Sequence, residues 1–143
     1  MVVDFTNAIL SDDEEKLIDL ITKTGTPNMR IEFKEPVFDI LRFEPPIICV
    51  TAFFRSVKCV CTLLSYDIYL KLTDSRHRWL GYFIAAGGCL DILKDVVSAA
   101  EDGTITLEDI PVNIAAEFGS LDIIRYLYLE GVDINDPSPT ILR

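Results

Sequence analysis

Residues Asn113–Asn135 read NIAAEFGSLDIIRYLYLEGVDIN. If this stretch is one copy of a repeating unit, the chain is a stacked array with an extended surface; if it is unique, a single core with a pocket is the default. Its local reading is a helix, a tight turn and a longer helix. Pro111 sits where a first helical residue belongs, with φ already set and no N–H wasted. Small Ala115 and Ala116 permit close approach of a neighbouring helix, Gly119 and Ser120 break the first helix, and Asp122 favours the start of the second through the dipole. Leu121, Ile124, Leu127 and Tyr128 form an apolar stripe at three- and four-residue spacing that demands burial, and Gly131 ends the helix.

The stretch is not unique. Placing VKCVCTLLSYDI (Val57–Ile68) over LDIIRYLYLEGVDI (Leu121–Ile134) matches Cys59 and Val60 to Ile123 and Ile124, Leu63 and Leu64 to Leu127 and Tyr128, and Ala52 to Ala116. Between them, IAAGGCLDILKDVVSAA supplies a third copy, with Ala85 on Ala116, Gly88 on Gly119 and Leu90 on Leu121. The offsets are 33 and 31 residues. A period of this length is the mark of a solenoid whose units bury their stripes only by stacking on one another.

The copy I-P-V-N-I-A-A-E-F-G-S-L-D-I-I-R-Y-L-Y-L-E-G-V-D-I-N (Ile110–Asn135) resembles the ankyrin repeat pattern T-P-L-H-x-A-A-x-x-G-x-L-E-I-V-x-x-L-L-x-x-G-A-D-V-N. The copy from Pro46 to Lys71 departs from it, with Arg55 at the turn glycine and Asp67 at the terminal glycine. The copy from Trp79 to Asp102 has Trp79, Leu80 and Gly81 in place of Thr-Pro-Leu, and Ala100 at the terminal glycine. Upstream, Ala8–Asn28 is similar to a degenerate first unit: Leu17, Ile18 and Ile21 give the stripe, Gly25 the stop, and Ser11–Glu14 reads as a capping box. The expected fold is an all-α solenoid of stacked helix-turn-helix units with finger loops, one domain over 1–143. Its units run about 4–29 (an acidic N-terminal cap), 41–73, 74–104 and 105–136, with an insertion near 32–40 and a short tail, 137–143.

The resemblance implies a non-catalytic scaffold that binds a partner protein through finger loops and the concave side of the first helices. Register then selects the candidate partner-binding residues: Arg42 and Phe43, Arg76 and Arg78, and Leu107 in the fingers, with Phe53, Phe54, Glu117 and Phe118 before the turns. Phe53, Phe54 and Phe118 fall at equivalent steps, so they either form an outward aromatic ridge or are buried by degenerate packing. Arginine at interfaces pairs its planar fork with carboxylates, so an acidic segment with apolar anchors is the partner these residues suit. The alternative is a structural fragment of a larger array, or a unit that self-associates through its C-terminal repeat, since Ile123, Tyr126 and Tyr128 belong to the last complete copy.

Composition narrows the remaining classes. The 143 residues are half hydrophobic and a quarter charged, the balance of a packed chain, with a net charge of −10. Segments 1–29, 30–40, 41–94 and 95–143 carry −4, −1, +3 and −8, so a mildly basic middle lies between acidic ends. This argues against nucleic acid. No apolar run reaches the ~18 residues of a membrane span, and neither a signal peptide nor an Asn-x-Ser/Thr acceptor is present, so a cytoplasmic protein is expected. Cys49, Cys59, Cys61 and Cys89 lie in apolar stretches and read as buried reduced thiols. The two-apart Cys59 and Cys61 and the single His77 complete no zinc set, and the acidic runs Asp12–Glu15, Glu101/Asp102 and Glu108/Asp109 lack EF-hand spacing, so no metal or cofactor is expected. His77 between two arginines reads as a solvated turn residue with no nucleophile beside it, Trp79 as packing under a finger, and no enzyme is expected.

Overall fold

The computed structural model describes residues 2–36, 38–66, 68–100 and 103–134. Asp67, Glu101, Asp102 and the tail from Asn135 onward lie outside the described residues, and with them the expectations placed there. Every regular element described is helical: α1 (Val2–Leu10), α2 (Glu14–Thr24), α3 (Ile47–Phe53), α4 (Val57–Leu64), α5 (Leu80–Gly87), α6 (Leu90–Ala99), α7 (Val112–Glu117) and α8 (Leu121–Leu129). Short 3-10 turns stand at Asp39–Leu41 and Leu107–Asp109.

The helices pair in chain order and pack in two rows. α3, α5 and α7 follow one another in the first; α2, α4, α6 and α8 in the second. In the first row α3 and α5 bury almost all of their side chains, Ile47 to Ala52 and Phe83 to Ala86 among them, because they are covered by the second row and by their own neighbours, whereas α7 buries only Ala115. Second-row helices bury only a stripe, such as Cys59, Val60 and Leu63 on α4 and Ile92, Leu93 and Val96 on α6, and leave their backs to water.

Residues Asp12, Arg55, Gly88 and Gly119 share one place between the helices of each pair, and all four have positive φ (52°, 61°, 75° and 71°). A left-handed residue is what reverses the chain in so short a turn. Arg55, which breaks the sequence pattern, therefore keeps the backbone conformation of the glycines it replaces. The 43-residue step from Asp12 to Arg55, against 33 and 31 afterwards, locates the extra chain in the connector between α2 and α3, where Arg30 and Pro46 form an isolated antiparallel bridge.

In two of these turns the next residue, a serine, ties one pair to the one before. Ser56 Oγ donates to the Ile9 carbonyl and Ser120 Oγ to the Ala85 carbonyl at 2.6 Å. Committed there, Ser56 does not cap α4; Asp12 of the preceding turn does so, accepting from Cys59 N at 2.9 Å and Lys58 N at 3.2 Å.

Three expectations need correction. Ser11 does not open α2 as part of a capping box: its hydroxyl bonds back to the Asn7 carbonyl at 2.8 Å, and Asp13 is the cap, accepting from Lys16 N at 3.1 Å. The chain turns one step later than a Ser-led box requires, because Asp12 takes the left-handed place. Pro111 stands just before α7 rather than inside it. Cys49, Cys59 and Cys89 are buried, but Cys61 is exposed on the back of α4, its Sγ 3.4 Å from Asp95 Oδ2.

The thiols make a pH prediction. Burial first, and then the Asp12 carboxylate, push Cys59 from its ordinary 9.0 up to about 12; Cys49 is raised by burial and then by Asp74. Between those values the native chain keeps a proton that the unfolded chain releases, so the stabilisation is whole below pH 9.0 and is lost as pH rises toward about 12. The urea midpoint is expected to fall across that window, and less steeply in Cys59→Ala. Equal slopes in both proteins would contradict the assignment. At neutral pH a thiol reagent is expected to modify Cys61 alone, and slowly, since burial and Asp95 raise its pKa too.

Candidate functional site

Most of the residues selected by register converge on one open concavity where the finger loops overhang the first-row helices. A hollow of about 280 Å3 is lined by Asp39, Ile40, Arg42, Phe43, Arg78, Tyr82, Ile114, Glu117 and Phe118. Beside it, sharing Phe43, Arg78 and Tyr82, a second hollow of about 360 Å3 adds Arg76 and His77. Six of the nine expected residues thus line these two adjoining hollows: Arg42, Phe43, Arg76, Arg78, Glu117 and Phe118.

The fingers are held in place by polar contacts between successive loops. The Phe43 carbonyl accepts from Ser75 N at 2.8 Å and from Ser75 Oγ at 3.0 Å. Asp74, whose side chain is fully buried, is the anchor of the second finger: Oδ1 accepts from the backbone N–H groups of Arg76 and Arg78, both at 2.9 Å. Oδ2 takes the Arg78 guanidinium through Nε at 2.9 Å and NH2 at 2.8 Å. NH2 of Arg78 also donates to the Ile40 carbonyl at 2.9 Å, which joins the finger to the inserted connector. This network lets His77 adopt φ 62° at the loop tip.

The three arginines consequently differ. Arg78 has its side chain 25 % exposed and its fork already engaged, so it is a structural member of the wall. Arg42 makes an exposed ion pair with Asp39 at 2.8 Å, a contact worth little in water and readily exchanged for another carboxylate. Arg76 lies over the Phe43 ring with its guanidinium carbon 4.2 Å from the centroid, is exposed, and has no ion pair among the described residues. The cation–π contact holds the guanidinium over the ring at a stabilisation of about 0.5–1 kcal/mol and leaves it without a carboxylate partner among the described residues.

The aromatic residues form a continuous row. Phe53 meets Phe54 at 5.2 Å and Phe118 at 6.4 Å between centroids, both edge to face, so side chains two helix pairs apart touch directly. Gly87 stands between them and permits this: a Cβ there would collide with the Ala52 carbonyl oxygen and lie 3.1 Å from Phe53 Cα. Phe53 and Phe54 are half-buried, whereas Phe118 is 42 % exposed. Phe54 lines a different, largely apolar groove of about 370 Å3 beside α1, and Leu107, half-buried in its 3-10 turn, lines neither finger hollow.

Sequence reasoning missed Phe38, Tyr82 and Asp74. Phe38 packs edge to face on Phe53 at 5.1 Å and on Phe54 at 5.9 Å, but it comes from the insertion, which has no counterpart in the other copies. Tyr82 was legible as the α5 counterpart of Asn113. Asp74 is one loop carboxylate among many in the sequence, and only its burial distinguishes it. Trp79 packs beneath Lys71, whose Nζ is 4.1 Å from the ring centroid, in space left by the absent side chain of Gly81.

Among the described residues no group of three or more His, Cys, Asp or Glu is arranged to hold a metal ion, and no helix is long and apolar enough to cross a membrane. No protein-family model matches the chain, and no curated protein matches it as a relative.

Proposed function

We propose that the chain is a non-catalytic, ankyrin-repeat-type scaffold that binds a partner protein in the concavity between its finger loops and first-row helices. The observation that carries this reading is the convergence of Arg42, Phe43, Arg76, Arg78, Glu117 and Phe118 on adjoining open hollows. An open, half-apolar trough with one uncommitted guanidinium suits a peptide segment better than a reacting small molecule, which needs an enclosed site. The segment that fits carries a carboxylate for Arg76 and an apolar side chain for the Phe118–Tyr82 floor.

The test is selection from a random-peptide library on the immobilised chain. Enriched peptides are expected to be acidic and aromatic, and to lose about tenfold or more in affinity to Arg76→Glu or Phe118→Ser. Lys58→Glu, the same charge change on the second row, is expected to be nearly silent at about 150 mM salt. Binders indifferent to both groove variants would overturn the proposal.

A further inference from the structure

The outer face of the last described helix pair is built like an internal stacking face. Leu121 of α8 occupies the place of Val57 on α4 and Leu90 on α6, and Tyr128 the place of Leu64 and Val97. In the inner pairs these side chains are half-buried and packed against the core, and each of their helices has a further one beside it, α6 after α4 and α8 after α6. On α8 the same two places are 66 % and 64 % exposed. Ala116 repeats the contrast: its counterparts Ala52 and Ala85 are buried and it is exposed. The opposite side of α8 is occupied, since Tyr126 packs under Lys94 of α6 with Nζ 5.1 Å from the ring centroid.

We propose that this face docks an amphipathic helix of another protein, with an apolar stripe laid along Leu121 and Tyr128 and with lysine or arginine on its flanks. The secondary structure follows from the face itself, which repeats the spacing by which this chain already packs helix on helix. The charge follows from its surroundings: residues 105–134 carry six carboxylates against the single Arg125, a net of −5, with Glu117 and Asp122 exposed on either side of the turn that leads into α8. The same charge disfavours a second copy of the chain, whether the copies meet by this face or by the N-terminal end, where residues 1–29 carry −4. The proposal concerns a surface separate from the finger concavity and does not depend on it.

The test uses the full chain and a fluorescent Leu/Lys peptide of about 18 residues, long enough to be helical, with leucine at i, i+3, i+4 and i+7. Saturable binding is expected, and Leu121→Asp with Tyr128→Asp is expected to weaken it about tenfold or more even though the protein becomes more acidic, so bulk attraction would change the other way. Val3→Asp, at an exposed apolar position of α1, is expected to leave it unchanged. Equal binding of a scrambled peptide, or tighter binding by the aspartate variant, would reduce the effect to charge alone and overturn the proposal. It is overturned equally by loss of binding in Val3→Asp. A dimer in sedimentation equilibrium that the aspartate variant dissolves would make the occupant a second copy; tighter peptide binding by Ile141→Ser with Leu142→Ser would make it the chain's own last residues.

Discussion

Asp74→Ala is expected to cost about 3–5 kcal/mol of stability and, with it, the shape of the finger concavity. The Asp74 side chain is inaccessible to water and accepts three hydrogen bonds, two from its own loop backbone and one from Arg78 Nε, with Arg78 NH2 completing the ion pair. Removing one partner of a buried ion pair typically costs 3–5 kcal/mol because a charge is left without its counterion. Arg78 is a quarter exposed and recovers some hydration, which places the loss at the lower end. Two backbone N–H groups lose their acceptor as well, each worth about 1 kcal/mol net. The measurement is the urea midpoint together with hydrogen exchange of the amides at Arg76 and Arg78, which are expected to lose protection before α5 does. Asp74→Asn separates the contributions, since the amide keeps an acceptor for the loop but not the ion pair. A variant with the wild-type midpoint would show that the finger is held by something other than this carboxylate.

Gly87→Ala is expected to destabilise by about 2 kcal/mol although alanine is the better helix former. Two effects oppose each other. Replacing glycine within α5 gains about 1 kcal/mol in helix propensity. Against it, the new methyl would overlap the Ala52 carbonyl oxygen and crowd the Phe53 carbonyl at 3.0 Å; both are backbone atoms with no rotamer to move into. Overpacking of this kind costs about 1–3 kcal/mol, and more where the obstacle cannot yield. Relief comes only by separating α3 from α5, the most closely apposed helices of the first row, so the strain spreads through the stack. That separation also parts Phe53 from Phe118, and groove-binding peptides are expected to weaken along with stability. Gly119→Ala is the control: open space surrounds that position and only its positive φ resists, at about 1–2 kcal/mol. A more stable Gly87→Ala protein would show that the rows can part freely.

Much of this was legible in the sequence because helix pairing is a periodic signal. Ala52, Ala85 and Ala116, and Leu63, Val96 and Leu127, repeat at the spacing that brings them to equivalent places, so the register read from letters is the register in space. The same register selected Arg42, Phe43, Arg76, Arg78, Glu117 and Phe118 as neighbours across 77 residues of chain. Where the sequence lost its period, it lost its predictive power. The connector between α2 and α3 has no second copy to align with, and Phe38, which extends the aromatic row, comes from there.

The chain's letters by themselves determined the all-helical architecture, the number of helix pairs among the described residues and the surface on which the fingers lie. Apolar spacing and turn residues act over a few positions, and local physics is enough to read them. Tertiary structure alone decided what each charged or aromatic residue does there. Three arginines that look alike in sequence became a wall brace, an exchangeable surface pair and an uncommitted receptor, according to whether Asp74, Asp39 or the Phe43 ring lay beside them. That division depends on burial and on neighbours brought from distant positions, and a carboxylate buried within the fold binds its guanidinium far more tightly than one left in water.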